Sequence, residues 1–404
     1  MTLTVTNKKK IRTLLFSTLY PSSIRPVHGI FVETRLRELL KSGEVETKVV
    51  APVPWFPFKA KVFGEYAQFS STPGFETRNG VEVYHPRYFL PPKGGMNVAP
   101  YTLAKAALPT IRKLIKDGYD FDLIDAHYYY PDGVAASFIA KALGKPFVVT
   151  ARGTDLNLIP EYEKPRKLIL ETAERASASI GVCKALMDRL AELGADPAKL
   201  HTLRNGVDLD RFKPVDRKLA RQQLGLPADQ RIFLSVGHLV ERKGNHIAIE
   251  AMVKLSESLL LIAGTGPELG RLQQLATQLG VVDRVRFLGQ IANDQLNTWY
   301  SAADALFLCS SREGWANVLL ESMACGTPVV ATNIWGTPEV VSSLDAGVLM
   351  HERTPSALAK AIDALFARYP DQVDVRRHAE QFSWEQTTFS QLQLFHSILL
   401  RDKY

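Results

Sequence analysis

The residues best suited to chemistry are two glutamates eight positions apart, Glu313 and Glu321. The apolar run at 305–308 predicts a buried strand before them, and a helix is predicted from about Ala316 to Gly326. Glu313 then falls in the loop before the helix and Glu321 within it. Amide groups at a helix N-terminus lack partners and carry partial positive charge, which suits a diphosphate. The pattern therefore predicts an anion site beside carboxylates, although two glutamates alone are more often solvated surface charges.

The residues around these glutamates narrow the interpretation. From Glu313 the chain reads Glu-Gly-Trp-Ala-Asn-Val-Leu-Leu-Glu-Ser-Met-Ala-Cys-Gly-Thr-Pro-Val-Val-Ala-Thr, and Gly336-x-x-Glu339-Val-Val follows. This segment resembles the Glu-x7-Glu signature of the retaining glycosyltransferases of family 4, which have the GT-B fold. The resemblance extends over nearly the whole chain and is weakest at 55–80 and in the last 50 residues. It implies that Glu313 is catalytic by orienting the donor-sugar hydroxyls, and that Glu321 binds the ribose.

The resemblance also implies a donor-binding set, namely Gly29, Arg242, Lys243, Gly264, Gly266, Trp315, Ala316, Asn317, Val318 and Glu321. Arg242 and Lys243 are expected to be exposed and to contact the phosphates, because guanidinium and ammonium groups offset phosphate charge. His238 stands where many members of the family have arginine, so the phosphate contacts are assigned to Arg242 and Lys243. An Arg-Lys pair in a loop is otherwise a common solvated feature.

A histidine and several polar residues complete the implied site. His127 ends the Asp125-Ala126-His127 run, and the resemblance places it near the donor sugar as a second catalytic residue. A lone histidine is more often structural, but a position at the end of a strand favours the functional interpretation. The resemblance also implies acceptor or cleft positions at Arg152, Asp155 and Asn205.

Apolar, β-branched runs alternate with helical periodicity along both halves of the chain, which predicts an α/β architecture. Predicted strands in the first half are 11–17, 47–51, 81–85, 121–126, 147–151 and 179–182, with helices at 30–42, 98–116 and 133–143. Predicted strands in the second half are 232–236, 259–263, 285–288, 305–308 and 328–331. Such runs indicate doubly wound parallel sheets covered on both faces. Two Rossmann-like domains, facing a central cleft as in the GT-B fold, are expected.

The predicted domains are an acceptor- and membrane-facing domain at 1–205 and a donor domain at 206–384. The boundary is placed near the Asn205-Gly206-Val207-Asp208 turn signal, after a strand predicted around 200–203. The helix at 385–404 is expected to pack back on the first domain, with Phe389, Leu392, Leu394 and Phe395 as its apolar stripe. A length of 404 residues suits two domains of about 200 residues each.

Charge and composition limit which partners and which cellular location are expected. The net charge of +7 is uneven, because residues 1–205 carry +9 and residues 206–404 carry −2. The basic half suggests an anionic partner, either a lipid surface or nucleic acid, or simply solvated helix faces. Nucleic acid is not expected, because no nucleic-acid-binding motif is recognised. Three cysteines without a C-x-x-C pair suit a reducing compartment, and no apolar run reaches the length of a membrane span. A cytoplasmic protein, peripheral on the inner face of the plasma membrane, is expected, and the apolar-basic segments at 55–61 and 104–116 are expected to touch the membrane.

The sequence predicts transfer without a metal ion or other cofactor. It has no His or Cys cluster with metal-ligand spacing, so the protein's own cations are expected to neutralise the diphosphate. The expected partners are a nucleotide-sugar donor, a glycan or lipid-linked acceptor and an anionic membrane surface. A sugar-nucleotide epimerase, or a non-catalytic sugar-nucleotide binder on the same fold, is the alternative.

Overall fold

The computed structural model describes residues 10–60, 62, 64–91 and 94–401. The chain divides into two compact units. The first holds the residues up to Leu203 and those from Thr387 onwards, and the second is Arg204–Gln386. The predicted boundaries after 205 and 384 lie two residues from these, and Asn205 belongs to the second unit.

The first unit is built on a parallel sheet. Its strands are β1 (Ile11–Phe16), β2 (Val45–Val50), β3 (Val53–Pro54), β4 (Phe75–Arg78), β5 (Val81–Tyr84), β6 (Arg87–Tyr88), β7 (Leu123–His127), β8 (Phe147–Ala151), β9 (Ala178–Gly181) and β10 (Leu200–Thr202). Its helices are α1 (Ile30–Lys41), α2 (Glu65–Ser71), α3 (Gly95–Lys116), α4 (Val134–Leu143), α5 (Thr154–Asn157), α6 (Glu163–Arg175) and α7 (Lys184–Glu192). The strand order is β10-β9-β8-β7-β1-β2-β5-β4, in which β4 runs antiparallel to β5, and β3 pairs with β6 beside this sheet.

The second unit repeats the pattern. Its strands are β11 (Arg231–Val236), β12 (Ser258–Ala263), β13 (Val285–Gly289), β14 (Ala305–Leu308), β15 (Val329–Thr332) and β16 (Gly347–Met350). Its helices are α8 (Arg217–Gln223), α9 (Asn245–Ala251), α10 (Leu269–Gln278), α11 (Leu296–Ala302), α12 (Asn317–Ala324), α13 (Thr337–Val340), α14 (Pro355–Ala367) and α15 (Gln372–Glu380). The strands lie in the order β13-β12-β11-β14-β15-β16, all parallel to their neighbours. The predicted pair of Rossmann-like parallel-sheet domains is therefore confirmed.

Burial explains why the strands were recognisable. Every residue of β7, β8, β12 and β14 is buried, as expected for strands covered by helices on both faces. Four strands escaped prediction, namely the two-residue strands β3 and β6, the edge strand β4, and β16. The edge strand β4 reads Phe-Glu-Thr-Arg and is half exposed, so it has no continuous apolar run. Strand β16 opens with a glycine that weakens its strand signal. The helix predicted from Val98 begins instead at Gly95 and continues through Pro100 and Pro109.

The last helix, α16 (Trp384–Arg401), returns to the first unit. Leu392, Phe395 and Ile398 are buried in the core that contains Ile11 and residues of β7 to β9. The inclusion of Phe389 in the buried stripe was wrong, since its side chain is 61% exposed. At 100° per residue, Phe389 lies about 120° from the centre of the face that holds Leu392, Phe395 and Ile398.

Candidate active site

Apart from Gly29, the donor residues implied by the sequence lie at one edge of the second unit's sheet. Parallel strands end at the same edge, so the loops after β11, β12 and β14 emerge together. The loop after β11 contains a short 3-10 turn, Glu241–Lys243. The Ser311 amide donates to the Arg242 carbonyl at 2.8 Å, which ties this turn to the loop after β14.

Glu313 and Lys243 form the central contact of this edge. Lys243 Nζ lies 2.6 Å from Glu313 Oε1, and Ser310 Oγ donates to the same oxygen at 2.6 Å. Arg242 lies farther away, with Nη1 at 3.8 Å from that oxygen. Glu313 is nearly buried, so this cationic and hydroxyl environment holds a carboxylate where water reaches it little. Serine 310 was not singled out from the sequence, although it stands three residues before Glu313.

The two predicted phosphate contacts differ in exposure. The Arg242 side chain is 37% exposed, and its Nη1 also donates to the Arg312 carbonyl at 3.3 Å. The Lys243 side chain is only 17% exposed, so the expectation that both would be exposed was wrong for Lys243. The physical reason is the ion pair with Glu313, which draws the ammonium group into the loop.

Two of the predicted glycines are required by close backbone approach. A Cβ atom on Gly264 would lie 1.9 Å from the Gly237 carbonyl oxygen, and its φ of 144° is one that other residues rarely adopt. A Cβ atom on Gly266 would lie 2.3 Å from the Leu239 carbonyl oxygen. These glycines let the loop after β12 lie directly on the loop after β11.

Helix α12 begins immediately after Trp315 and Ala316, and no side chain of the described residues caps its N-terminus. The first-turn amides, including those of Asn317 and Val318, are therefore open to an anion. Trp315 Nε1 donates to the Asn205 carbonyl at 3.1 Å, and Asn205 Nδ2 approaches Asn317 Oδ1 at 3.4 Å. Asn205, implied as an acceptor or cleft residue, thus stands with the donor set in the second unit.

Glu321 is held differently from Glu313. The Tyr300 hydroxyl of α11 donates to Glu321 Oε2 at 2.8 Å. Burial raises the pKa of Glu321, while the Tyr300 hydroxyl and the charge of Arg211 lower it. The side chain keeps partial exposure, so its carboxylate can accept further hydrogen bonds. Tyr300 is a partner that sequence reasoning missed.

In the first unit, Gly29 precedes α1 with φ of 68°. A Cβ atom there would lie 2.3 Å from the Leu19 carbonyl, so only glycine fits against the loop after β1. Buried Asp132 holds the same loop, because its Oδ2 accepts from the Thr18 amide at 2.8 Å and from Thr18 Oγ1 at 2.9 Å. Burial raises the pKa of Asp132 to about 7.

His127 is the last residue of β7 and is 1% exposed. Its Nδ1 contacts an Arg152 guanidinium nitrogen, and its Nε2 lies 3.3 Å from Asp125 Oδ2. Guanidinium groups only donate, so Nδ1 accepts and the proton of the neutral ring lies on Nε2, facing the carboxylate. Burial lowers the pKa of His127 to about 4, with Asp125 raising it and Arg152 lowering it.

Asp155 is a buried structural acceptor for the loop after β8. Its carboxylate accepts from the backbone amides of Tyr129 at 2.7 Å, Gly153 at 2.7 Å and Arg152 at 3.0 Å. Arg152 extends over the Phe31 ring at 5.5 Å. The structure therefore brings Arg152 to His127 and uses Asp155 to fix the backbone that carries Arg152. Within the described residues, no group of three or more His, Cys, Asp or Glu side chains is arranged to hold a metal ion.

Comparison with known proteins identifies the family. Residues 216–382 match the family described as glycosyl transferases group 1, and residues 31–211 match glycosyltransferase family 4. The putative teichuronic acid biosynthesis glycosyltransferase TuaC of Bacillus subtilis (strain 168) is 31% identical over 358 residues, which cover 87% of this chain and 88% of TuaC. The chain belongs to glycosyltransferase family 4. The resemblance inferred from the Glu313–Glu321 segment is thereby confirmed.

Solved structures agree on the fold of this family 4 glycosyltransferase. Sucrose-phosphate synthase from Thermosynechococcus elongatus is similar with a TM-score of 0.79 at 21% identity, over 97% of this chain and all of that one. Anabaena HepE in complex with UDP-glucose is similar with a TM-score of 0.70 at 20% identity, over 96% of this chain and 99% of that one. The predicted GT-B fold is confirmed.

Several residues around the glycosyltransferase's candidate site were not predicted from the sequence. Arg35 of α1 and Gln391 of α16 are buried beside Asp125, and Arg204 Nε donates to Glu339 Oε2 at 2.9 Å. Glu339 could have been found, because it belongs to the Gly336-x-x-Glu339 run of the family signature. Arg35 and Gln391 could not, since they lie 356 positions apart in the chain.

Proposed function

We propose that this glycosyltransferase moves a sugar from a nucleotide diphosphate donor to a glycan or lipid-linked acceptor, with retention of anomeric configuration and without a metal ion. The observation that carries the proposal is the contact between Lys243 and Glu313, with Arg242 beside it. Glu313 stands four residues before Asn317, where α12 begins without a side-chain cap. Two cationic side chains and a helix N-terminus are what a diphosphate requires when no metal neutralises it.

Donor binding redistributes the charges of this cluster. The diphosphate carries two or more negative charges, so it competes with Glu313 for the Lys243 ammonium. Glu313 then directs a carboxylate oxygen to the hydroxyls of the donor sugar, and Glu321 accepts from the ribose. The fold neighbour HepE was solved with UDP-glucose, and a uridine nucleotide is therefore the first donor to test.

In the transfer step, the bond between the anomeric carbon and the phosphate oxygen breaks. The acceptor oxygen forms its bond to that carbon on the same face, and its proton passes to the leaving phosphate. Arg242, Lys243 and the α12 amides stabilise the developing phosphate charge, typically by several kcal/mol for such preorganised groups. His127 and Arg152 of the first unit are assigned to the transfer step, and Glu313 orients the sugar rather than attacking it.

The biological role proposed is glycan biosynthesis at the cytoplasmic face of the plasma membrane. TuaC is described as a putative teichuronic acid biosynthesis glycosyltransferase, and a cell-surface glycan is the product class proposed for this chain. None of the described helices combines the length and the apolarity needed to cross a membrane. Attachment is therefore proposed through the surface of the first unit.

Exposed apolar and basic side chains of the first unit support that attachment. Trp55 and Phe58 are more than half exposed, as is Val62 nearby, and α3 exposes Tyr101. On the same helix, exposed basic side chains follow at Lys105, Arg112, Lys113 and Lys116. Lys61, the end of the Trp55–Lys61 segment expected to touch the membrane, lies outside the described residues. Aromatic and cationic side chains together suit an anionic lipid surface.

The donor site is tested with the double substitution Arg242→Ala and Lys243→Ala. Each lost charge-assisted contact costs about 1.5–3 kcal/mol, so the dissociation constant for UDP is expected to rise at least tenfold in calorimetric titration. Lys360→Ala removes an exposed lysine from α14 of the same unit and serves as the matched control.

The same titration with excess EDTA tests metal independence, and unchanged affinity is expected. Unchanged affinity in the double variant would overturn the phosphate site. Transfer that is lost with EDTA and restored by magnesium or manganese would overturn the metal-free mechanism. Sugar-nucleotide conversion without any acceptor would favour an epimerase.

A further inference from the structure

Gln391 of α16 is buried in the first unit between two charged side chains. Its Oε1 accepts from Arg35 Nε at 3.0 Å, and its Nε2 donates to Asp125 Oδ2 at 3.2 Å. All three residues are at most 2% exposed. A helix from the far end of the chain thus contributes a polar side chain to the carboxyl end of β7, where His127 lies.

A carboxamide makes both contacts at once, and a side chain that lacks either a donor or an acceptor cannot. Arg35 Nε requires an acceptor and the Asp125 carboxylate requires a donor, and glutamine offers one of each at the correct length. Asp125 Oδ1 and Arg35 Nη2 have no hydrogen-bond partner within residues 10–60, 62, 64–91 and 94–401. Gln391 is therefore a main polar constraint on the orientation of Asp125, and removing it would leave further buried groups unpaired.

The orientation of Asp125 affects the ring of His127. Asp125 Oδ2 receives the Gln391 amide and also faces His127 Nε2, while Arg152 contacts Nδ1 from the other side of the ring. The two charged neighbours select one neutral tautomer, with the proton on Nε2. If Asp125 turned away, that selection would rest on Arg152 alone.

We propose that Gln391 is a positioning residue for sugar transfer, holding Asp125 so that His127 keeps one ring orientation and one tautomer. The proposal rests on the assignment of His127 to the transfer step. It gives the returning helix α16 a function besides packing, because the same helix that buries Leu392 and Phe395 also sets the state of His127.

The tautomer is measured first, on the full-length protein without substrates. Histidine labelled with ¹⁵N gives two-bond ¹H–¹⁵N correlations that report which ring nitrogen carries the proton, and His127→Gln identifies the relevant signals. The wild-type protein is expected to show the Nε2–H form of His127. Gln391→Met, close in size but without a donor or acceptor, is expected to give a mixture of tautomers or exchange broadening.

Two further variants separate positioning from folding. Gln391→Glu keeps the acceptor for Arg35 and loses the donor to Asp125, so it should disturb the tautomer even if Gln391→Met folds poorly. Gln393→Met changes an exposed glutamine two residues along the same helix and should leave the His127 signals unchanged. An unchanged His127 spectrum in a folded Gln391 variant overturns the proposal.

Turnover gives an independent readout through a double-substitution cycle. Gln391→Met is expected to lower kcat by about tenfold, the scale of a misplaced reacting group, with the UDP dissociation constant unchanged. Combined with His127→Ala, it should add little further loss, because both changes act through one ring. Fully additive losses overturn the proposal. Full turnover in His127→Ala alone would instead overturn the role proposed for His127, and the tautomer measurement would still decide whether Gln391 holds Asp125.

Discussion

The ion pair between Lys243 and Glu313 joins two residues that we assign to different parts of the donor. The ammonium lies 2.6 Å from the carboxylate, so each group offsets the charge of the other. This contact places a cation beside a nearly buried carboxylate, to which we assign the sugar hydroxyls. It also means that changing Glu313 affects the cation as well as the sugar.

Glu313→Gln is expected to lower turnover by about 10²-fold or more, because the carboxylate interacts most strongly with the positive charge that develops in the transition state. The affinity for UDP should stay the same or tighten slightly, since Lys243 loses its competing partner. Steady-state kinetics and calorimetry measure the two quantities separately.

Substitutions of two other glutamates serve as comparisons for Glu313→Gln. Glu321→Gln is expected to show the opposite bias, weakening UDP binding more than the transfer step, because its proposed partner is the ribose. Glu352→Gln, at an exposed position of the second unit, should change neither. Near-normal turnover in Glu313→Gln would show that the catalytic assignment is wrong.

His127 illustrates how burial sets a protonation state. Burial lowers its pKa to about 4, below the ordinary value of 6.5, so the folded protein favours the neutral ring. This contribution to stability is present above pH 6.5 and is lost as the pH falls through the window from 6.5 to about 4. NMR titration of His127 should show a neutral ring at pH 5.5, and a midpoint near 6.5 would contradict this prediction.

At the scale of elements, the glycines of the second unit decide how closely its loops pack. Gly266→Ala is expected to destabilise the protein by about 1–3 kcal/mol, because the new methyl group meets the Leu239 carbonyl at 2.3 Å. The free energy of unfolding by urea measures the effect. Gly270→Ala is the matched control, since Gly270 lies in α10 with no atom within 4 Å of the new Cβ.

The control change should be neutral or stabilising by up to about 1 kcal/mol, because alanine favours a helix over glycine. Equal effects of the two substitutions would indicate that the loops after β11 and β12 are less closely packed than described. Weaker UDP binding in Gly266→Ala is also expected, because Leu239 precedes the turn that carries Arg242 and Lys243.

At the scale of the whole molecule, the uneven distribution of charge predicts binding to an anionic membrane. Residues 1–205 carry +9 against −2 for the remainder, and each basic residue close to an anionic surface contributes about 1 kcal/mol. The protein is expected to sediment with phosphatidylglycerol vesicles at low salt, less at high salt, and not with phosphatidylcholine vesicles.

The variant Trp55→Ser with Phe58→Ser should reduce that sedimentation several-fold by removing exposed apolar side chains. Val253→Ser, an exposed apolar position of the second unit, is the control and should have no effect. Equal sedimentation with both vesicle types, or none with either, would contradict this prediction. The positive charge of the first unit would then be that of ordinary solvated side chains.

The sequence by itself determined the architecture and the family. Parallel strands buried on both faces need continuous apolar runs, and β7, β8 and β12 were recognisable for that reason. The eight-residue spacing of Glu313 and Glu321 around a helix start identified the family signature. These features are local, so they can be read along the chain.

Only the tertiary structure decided which side chains meet. Lys243 reaches Glu313 across 70 positions, and Gln391 reaches Asp125 across 266. Such contacts depend on the order of strands in the sheet and on the return of α16, which no local periodicity encodes. The same cause explains why Lys243 is less exposed than expected and why both nitrogens of His127 have partners: burial and pairing are properties of the assembled fold.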